Sequence, residues 1–459
     1  MIPMTLAEIA GVVGGRIVDG DPDVVVTSAV ADSRDAGPGS VFVCIVGERV
    51  DGHDYIPQAR ERGSVVALTS HPVGSPAIVV DDPVEALGRL AGYVIRRLPD
   101  TLVIGITGSS GKTTTKDLLA AILAPHGETV SPRGSFNSEV GLPLTVLSCS
   151  TRTRFLVLEM GMRGSGHIRY LCELAHPRIG ALINVGSAHL ELLGSQEAIA
   201  AAKAEIIADL PAEGTAVLHA DDSRIMAHVS ATRANVMTFG ESAGADVRAV
   251  DITLDERARP VFTLEYKGDR QRVALTLTGE HQVANALAAT SMALAAGIDL
   301  GAIVDALEHY ESVSRWRMEI TERPDGVTII NDAYNANPES MRAALKALVA
   351  LAAGRRTWAV VGEMREIGDT SIMEHDAIGR LAVRLDVSRL IAVGDGARAL
   401  HLGALQEGSW GEESTWVPDI EAAVALLRAE VRPDDVVLVK ASRSIGLEAV
   451  AEALLDGAS

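Results

Sequence analysis

The chain has 459 residues, of which 47% are hydrophobic and 3% aromatic, and a formal net charge of −20. This length predicts about three domains with aliphatic cores. The acidic balance argues against nucleic acid as a partner, because such binding depends on neutralising phosphates. No apolar run reaches the roughly 18–20 residues that span a bilayer, so membrane insertion is not expected.

The cysteines, Cys44, Cys149 and Cys172, are scattered without the C-x-x-C spacing of a metal or redox site. They predict buried small side chains in a reducing compartment. The N-terminal residues lack the basic and apolar regions of a signal peptide. We therefore expect a cytoplasmic protein.

Residues 1–98 predict a small α/β domain of short strands and turns. The expected elements are two strands, a helix and a third strand, at Val24–Val30, Val41–Val46, Ile56–Arg62 and Val65–Leu68. Pro99 and Asp100 mark a linker.

Residues 99–312 alternate strand and helix patterns, which predicts a mostly parallel sheet. The strand candidates are Leu102–Ile106, Phe155–Leu158, Ile179–Val185 and Thr215–Leu218. Period-two alternation in Ala249–Leu277 predicts an antiparallel ribbon added to this sheet, and His281–Ala296 predicts an alanine-rich helix.

Residues 313–459 predict a Rossmann-like α/β domain with a helix at Glu339–Leu351. Its strand candidates are Val327–Ile330, Thr357–Val361, Arg389–Val393 and Asp435–Val439. The three blocks together predict an α/β chain of three domains.

The segment 102–116, LVIGITGSSGKTTTK, reads as a buried strand followed by a phosphate-binding loop. The residues expected at the phosphates are Gly108, Ser109, Ser110, Gly111, Lys112, Thr113 and Thr114. Glycines let backbone N–H groups converge on phosphate oxygens, while Lys112 supplies a cation and Thr113 a hydroxyl for Mg²⁺. Ile106 stands where the longer Walker form has glycine, so the shorter G-x-x-G-K-T form applies. A helix is expected from Thr114, and the loop predicts binding of a nucleoside triphosphate.

Two polar residues at predicted strand ends have two interpretations each. Glu159 is either an Mg²⁺ ligand or a solvated acid, and His189 either a ligand or a partner of a local backbone group. Pattern alone favours an exposed helix lysine at Lys203. Asp332, followed by Asn-Ala-Asn-Pro, is typical of a capped turn before a helix.

A series of ordered runs extends through all three blocks: ADSRDAGPGSVFVCIVGERVDGHDYI, GITGSSGKTTTKD, SFNSEVGLPLT, LEMGMRGSGHI, NVGSAHLELLGS, AAKAEI, GEHQVANALAA, SRWRMEI, NDAYNANPESM, VVGEMREIGD and VLVKASRS. On these runs the chain resembles the Mur ligase superfamily, and within it the MurF-type UDP-N-acetylmuramoyl-tripeptide–D-alanyl-D-alanine ligases.

The resemblance implies a UDP-sugar-peptide-binding domain at 1–98, a central ATP-binding domain at 99–312 and a ligase domain that docks D-alanyl-D-alanine at 313–459. The implied reaction is ATP-dependent ligation of D-alanyl-D-alanine onto UDP-N-acetylmuramoyl-tripeptide, through an acyl phosphate and a tetrahedral intermediate. Its product is the pentapeptide precursor of peptidoglycan. The implied protein is a monomer whose three domains close over the substrates.

The resemblance also assigns residues, and the catalytic set is Lys112, His189, Lys203, Arg317 and Lys440. Two Mg²⁺ sites are implied, formed by Thr113, Glu159, His189 and a carbamylated Lys203. Further nucleotide contacts are implied at His281, Asn285, Arg317 and Asp332. Substrate contacts are implied at Ser33, Arg34, Asp51, Gly52, His53, Asn137, Glu139, Tyr334, Asn335, Asn337, Ser442 and Arg443.

The chain departs from the family pattern at Ser138, Gln282, Trp316 and Ala441. Because Trp316 replaces a glycine, either Arg315 or Arg317 is the clamp arginine. The alternatives to the MurF reaction are a sister ligase that adds the third stem-peptide residue, and a folylpolyglutamate synthase-like ligase. A P-loop switch or transport ATPase and a non-catalytic nucleotide-binding module are more distant alternatives. Whether the third residue of the stem peptide is lysine or meso-diaminopimelate stays open.

Overall fold

The computed structural model describes residues 1–47, 50–132, 134–188, 190–408 and 413–456. Three α/β units follow one another along the chain, and each is built around its own largely parallel sheet. This confirms the predicted fold class, whereas the exact boundaries at 98/99 and 312/313 stay a prediction. Within these ranges, no helix is long and apolar enough to cross a membrane.

The first unit comprises β1 (Met4–Thr5), α1 (Leu6–Val13), β2 (Arg16–Val18), β3 (Val25–Val26), β4 (Ser28–Val30), β5 (Ser40–Val43), α2 (Ile56–Glu61), β6 (Val66–Thr69), β7 (Ala77–Val79) and α3 (Pro83–Arg96). Its sheet has the order β2-β7-β6-β5-β4 and is parallel except at β2. The single strand expected at Val24–Val30 is two strands, because β3 pairs with β1 while β4 pairs with β5.

Helix α3 joins the first unit to the second. It begins where the Asp82 carboxylate accepts the N–H groups of Val84 and Glu85, with Pro83 in its first turn. It packs on α1 at one side and on two helices of the second unit at the other. Buried apolar side chains form one cluster that continues through both units, from Ile2 to Ile225.

The second unit comprises β8 (Leu102–Thr107), α4 (Lys112–Leu123), β9 (Glu128–Val130), α5 (Gly141–Leu147), β10 (Thr153–Glu159), α6 (His167–Ala175), β11 (Ile179–Leu182), α7 (Leu190–Leu193), α8 (Gln196–Ala208), β12 (Thr215–His219), α9 (Ser223–Met226), β13 (Asn235–Gly240), β14 (Val247–Leu254), β15 (Pro260–Tyr266), β16 (Asp269–Ala274), α10 (Gln282–Ala295) and α11 (Leu300–Glu308). Its nine-stranded sheet has the order β16-β15-β14-β13-β12-β11-β8-β10-β9. Pairing is parallel from β9 to β14, and β14, β15 and β16 form the predicted antiparallel ribbon.

The third unit comprises β17 (Glu319–Glu322), β18 (Thr328–Asn331), α12 (Pro338–Ala352), β19 (Thr357–Val361), α13 (Ser371–Arg384), β20 (Arg389–Val393), α14 (Arg398–Glu407), β21 (Ser414–Val417), α15 (Ile420–Glu430), β22 (Val436–Lys440) and α16 (Glu448–Asp456). Its sheet has the order β17-β18-β22-β19-β20-β21, and only β17 is antiparallel to its neighbour.

All three cysteines are buried free thiols, as predicted. Burial raises the pKa of both Cys44 and Cys149 to about 12. These thiols therefore stay protonated and act as small apolar side chains.

Candidate active site

The phosphate-binding loop connects β8 to α4. Gly111 has a φ of +75°, and a Cβ placed there would lie 2.2 Å from the Asn285 side-chain oxygen, so only glycine fits. Because Gly111 caps the helix in this conformation, α4 begins at Lys112 and not at Thr114 as expected. The N–H groups of the first helical turn, including that of Thr113, are therefore free of intrahelical bonds and suited to an anion.

Part of the loop is bonded to the protein itself. The backbone N–H groups of Ser109 and Ser110 donate to Asn184 Oδ1 at 2.8 and 2.9 Å, and Asn184 Nδ2 donates to the Ser110 carbonyl at 2.9 Å. These two N–H groups are thus directed to Asn184, not to a phosphate. Lys112 Nζ donates to the Gly108 carbonyl at 2.7 Å.

Thr113 and Glu159 meet beside the loop. The Thr113 hydroxyl donates to Glu159 Oε2 at 2.7 Å, and Asn137 Nδ2 donates to Glu159 Oε1 at 2.7 Å. Ser135 Oγ lies 3.1 Å from Thr113 Oγ1. Thr113 and Glu159 are only 1% and 2% exposed. Hydroxyl and carboxylate oxygens are the hard donors that Mg²⁺ prefers, so this cluster fits that ion.

Within the described ranges, no three histidine, cysteine, aspartate or glutamate side chains gather as a metal-binding group. A Mg²⁺ ion commonly keeps several waters and binds substrate phosphates, so one carboxylate and one hydroxyl are a sufficient protein contribution. His189, the expected ligand of a second ion, lies outside the described residues.

Lys203 is buried in α8, with 1% of its surface exposed. The prediction of an exposed lysine at this position is therefore wrong. Helix α8 packs on β8 and β11, and Lys203 lies on its buried face. Burial lowers the pKa of Lys203 well below its usual value, and the nearby Lys112 ammonium lowers it further. Burial also lowers the pKa of Lys112, and Arg317 acts in the same direction while Glu159 opposes it.

The third unit brings Arg317 to this cluster. Arg317 Nη2 donates to Ser135 Oγ at 2.8 Å, and its guanidinium stacks on the Tyr334 ring at 4.1 Å. Ser135 thus lies between Thr113 and Arg317. Arg315 is exposed. The geometry therefore favours Arg317 over Arg315 as the clamp arginine.

Lys440 and Asp332 form a salt bridge of 2.6 Å within the third unit. Lys440 Nζ also donates to the Asn335 carbonyl at 2.9 Å. His281, at the start of α10, faces this pair from the second unit, and burial lowers its pKa to about 4. The carboxylate of Asp332 and the ammonium of Lys440 have opposing effects on that pKa.

Trp316 has the left-handed φ of 58° that a glycine would adopt without strain. Its indole ring stacks with the Arg443 guanidinium at 4.4 Å. Arg443 also pairs with Glu448. The substitution of glycine by Trp316 thus adds an aromatic surface that orients Arg443.

The expected UDP-binding residues form a separate group at the carboxyl edge of the first sheet. Ser33 Oγ donates to Gln58 at 2.6 Å, and Asp51 Oδ1 lies 2.6 Å from His53 Nδ1. The Gly52 N–H donates to Ile45, while Arg34 pairs with Asp32 and is 77% exposed. In the part of the chain that the structure describes, their polar contacts stay inside the first unit.

Three family models match the chain in order: "Mur ligase family, catalytic domain" over 26–102, "Mur ligase middle domain" over 106–293, and "Mur ligase, glutamate ligase domain" over 316–443. The UDP-N-acetylmuramoyl-tripeptide–D-alanyl-D-alanine ligase of Mycobacterium tuberculosis is 48% identical, over 99% of this chain and 98% of its own. The chain is a Mur ligase of the MurF type.

Solved structures agree with this assignment. MurF from Acinetobacter baumannii matches this Mur ligase with a TM-score of 0.89 and 31% identity over 99% of both chains. MurF from Thermotoga maritima in complex with ADP matches with a TM-score of 0.80 and 30% identity, over 94% of this chain and 97% of that one. The three-domain fold is confirmed, and the chain is an ATP-dependent ligase. The alternatives of a switch or transport ATPase and of a non-catalytic module are therefore dropped.

Three expected substrate contacts of this Mur ligase have internal partners. Asn337 is the N-cap of α12 and accepts the Ser340 N–H at 2.8 Å, so the capped turn is confirmed. The buried Ser442 hydroxyl accepts the Arg365 N–H at 2.9 Å. Glu139 pairs with Arg163 at 2.8 Å, two residues after Asn137.

Sequence reasoning missed Asn184 and Ser135 as parts of the site. Asn184 opens the NVGSAHLELLGS run and Ser135 opens the SFNSEVGLPLT run, so both were inside quoted runs. Their position there was the available signal. Their contacts arise only when separate strands and domains meet.

Proposed function

We propose that this Mur ligase joins D-alanyl-D-alanine to UDP-N-acetylmuramoyl-tripeptide at the expense of ATP, forming the pentapeptide precursor of peptidoglycan. The single observation that carries this proposal is the near full-length relative, 48% identical, that bears this reaction in its name. The convergence of the phosphate loop, Glu159 and Arg317 supports it, because these groups suit a triphosphate. We propose that the enzyme acts in the cytoplasm as a monomer.

In the first step, a carboxylate oxygen of the tripeptide attacks the γ-phosphorus of ATP, the bond to the β-γ bridging oxygen breaks, and ADP leaves with that electron pair. The product is an acyl phosphate. Lys112 and the start of α4 hold the phosphates, and Arg317 offsets their charge from the third domain. Positioning and charge neutralisation provide most of the rate enhancement in such a transfer.

In the second step, the amine of D-alanyl-D-alanine attacks the acyl carbon and forms a tetrahedral intermediate. The carbon–oxygen bond to phosphate then breaks, phosphate leaves with the electron pair, and the amine proton passes to solvent. We assign the dipeptide to the surface of the third domain at Tyr334 and Asn335, with Arg443 nearby. The residues around Ser33, Arg34, Asp51, Gly52 and His53 are assigned to the UDP-sugar.

Thr113 and Glu159 would hold one Mg²⁺ ion, and His189 with a carbamylated Lys203 a second. When bound, such ions neutralise phosphate charge and polarise phosphoryl oxygens. The buried environment of Lys203 supports carbamylation. Lowering the pKa of a lysine increases the fraction with a neutral amine, whose lone pair can attack the carbon of CO₂ with loss of a proton. The resulting anion would lie near Lys112, which favours it by charge.

The test is phosphate release from ATP with UDP-N-acetylmuramoyl-tripeptide and one amine at a time. D-alanyl-D-alanine should stimulate release, whereas meso-diaminopimelate, lysine and glutamate should not. Lys112→Met is the inactive control, and tripeptides ending in lysine or in meso-diaminopimelate are compared. Stimulation by glutamate would favour the folylpolyglutamate synthase-like alternative. Stimulation by lysine or diaminopimelate with a UDP-dipeptide would favour the sister ligase.

A further inference from the structure

Glu339 connects the third unit to the loop that follows β11. It is the second residue of α12, after Pro338. Its Oε1 accepts the Ser187 N–H at 3.1 Å, and both carboxylate oxygens lie 3.1 Å from Ser187 Oγ. Ser187 is only 4% exposed, so Glu339 supplies acceptors that water does not readily replace.

The adjacent Gly186 shows how closely the two units approach. A Cβ at Gly186 would lie 2.8 Å from the Glu339 carboxylate, so a larger residue there would force the Glu339 side chain to move from this position. The carboxylate also lies in the first turn of α12, where the helix dipole favours a negative charge. The contact is therefore partly buried and electrostatically favourable.

The loop that follows β11 also contacts the phosphate-binding loop. Asn184 accepts the N–H groups of Ser109 and Ser110, and the Gly186 N–H donates to Ser109 Oγ at 2.8 Å. The start of α12 also reaches this point, because Asn337 Nδ2 lies 3.4 Å from the Ser109 carbonyl. Residues 184–187 thus lie between the phosphate-binding loop and the third unit and contact both.

We propose that Glu339 is a positioning residue that couples the conformation of residues 184–187 to the position of the third domain. The domain is called seated when α12 is docked against this segment. When α12 is seated, Ser187 has its acceptor, and Asn184 holds the phosphate loop. When α12 moves away, the Ser187 N–H and hydroxyl lose their acceptor and the segment reorganises. The enzyme would then complete its phosphate site only in the seated state, a common use of domain closure.

This inference rests on the proposed ligase function, and its test separates the two. The variants are Glu339→Ala, Glu339→Gln and Ser187→Ala. The matched control is Glu421→Ala, because Glu421 is also the second residue of a third-unit helix, α15, and is exposed. Amide hydrogen exchange of residues 183–188 is measured without turnover, alongside kcat and KM for ATP and both substrates.

Glu339→Ala should speed exchange in 183–188 and lower kcat by roughly ten- to a hundredfold, with KM changed less than about threefold, because a partly buried, charge-assisted contact is lost. Glu339→Gln keeps an acceptor oxygen and should recover most of both losses, and Ser187→Ala should be intermediate. Thermal unfolding of each variant checks its folding.

The proposal is overturned if Glu339→Ala matches the Glu421→Ala control in exchange, or if exchange rises while kcat stays within twofold of the wild type. It is also overturned if Glu339→Gln is as impaired as Glu339→Ala, because a lost acceptor would then not be the cause. Failure of the wild-type enzyme to use D-alanyl-D-alanine would refute the proposed function instead, whatever the exchange data show.

Discussion

Replacing Lys440 with methionine should destabilise the third domain, because the substitution leaves the Asp332 carboxylate without its cation. The Lys440 side chain is 3% exposed and the Asp332 side chain 15%, with 2.6 Å between Nζ and Oδ2. Asp332 Oδ1 keeps one further partner, the Met318 N–H at 3.1 Å. Methionine is close to lysine in length, so the change removes a charge more than volume.

Removing one partner of a buried ion pair costs about 3–5 kcal/mol. We expect the lower end, about 3 kcal/mol, because Asp332 keeps a hydrogen bond and some access to water. Adding Asp332→Asn removes the stranded charge. The double variant Lys440→Met/Asp332→Asn should therefore recover about 2 kcal/mol relative to the single lysine variant.

Intrinsic tryptophan fluorescence in urea gives this measurement for the third domain alone, since all four tryptophans, Trp316, Trp358, Trp410 and Trp416, follow residue 312. The midpoint and slope of that transition give the free energy of unfolding. A loss below about 1 kcal/mol for Lys440→Met would refute the reasoning, since it lies far under the cost of a stranded buried charge. A double variant as unstable as the sum of the two single variants would also refute it.

Three further predictions concern other parts of the site. Trp316→Gly should change third-domain stability by less than about 1 kcal/mol, because relief of the left-handed backbone offsets the lost stacking on Arg443; a loss above about 2 kcal/mol in the same fluorescence assay would contradict this. Lys203→Ala should abolish phosphate release, and wild-type activity lost after CO₂ depletion at mildly acidic pH should return with bicarbonate; full activity of the variant would exclude the carbamate. Burial lowers the pKa of His281 from 6.5 to about 4. The neutral buried histidine therefore contributes its full stabilisation above pH 6.5, the pKa in the unfolded state. As pH falls to about 4, up to about 3 kcal/mol of this stabilisation is lost. When the pH is lowered from 7 to 4.5, His281→Gln should therefore lose less thermal stability than the wild type. Equal losses would contradict the lowered pKa of His281.

Strands with short, continuous apolar runs could be predicted from sequence because burial on both faces leaves a clear signal. Thr357–Val361 and Arg389–Val393 were predicted with the bounds that the structure gives. The edge strands β9, β17 and β21 were missed, since a half-exposed strand of three or four residues has no distinctive pattern. The start of α4 was misplaced because it depends on the backbone angle of Gly111.

The candidate site was predictable where function is concentrated in one segment, as in the phosphate loop and at Glu159. It was not predictable where a side chain acquires its role from a distant element. The alanines around Lys203 would allow a close approach to another element, but the pattern alone favoured an exposed lysine and α8 buries it. Asn184 contacts residues 74 and 75 positions earlier, and Glu339 contacts Ser187 from another domain, 152 positions away.

Helix α3 also changes how the molecule should move. Its apolar side chains belong to a cluster shared by the first and second units. The apolar clusters of the third unit contain one described residue of the second unit, Ala258, and the two units also meet through polar contacts such as Ser314 to Asp117. We therefore expect the first and second units to move together, and the third unit to move relative to them. Separating the first unit by a cut at residue 98 would expose an apolar surface, whereas separating the third by a cut near residue 312 would expose a more polar one.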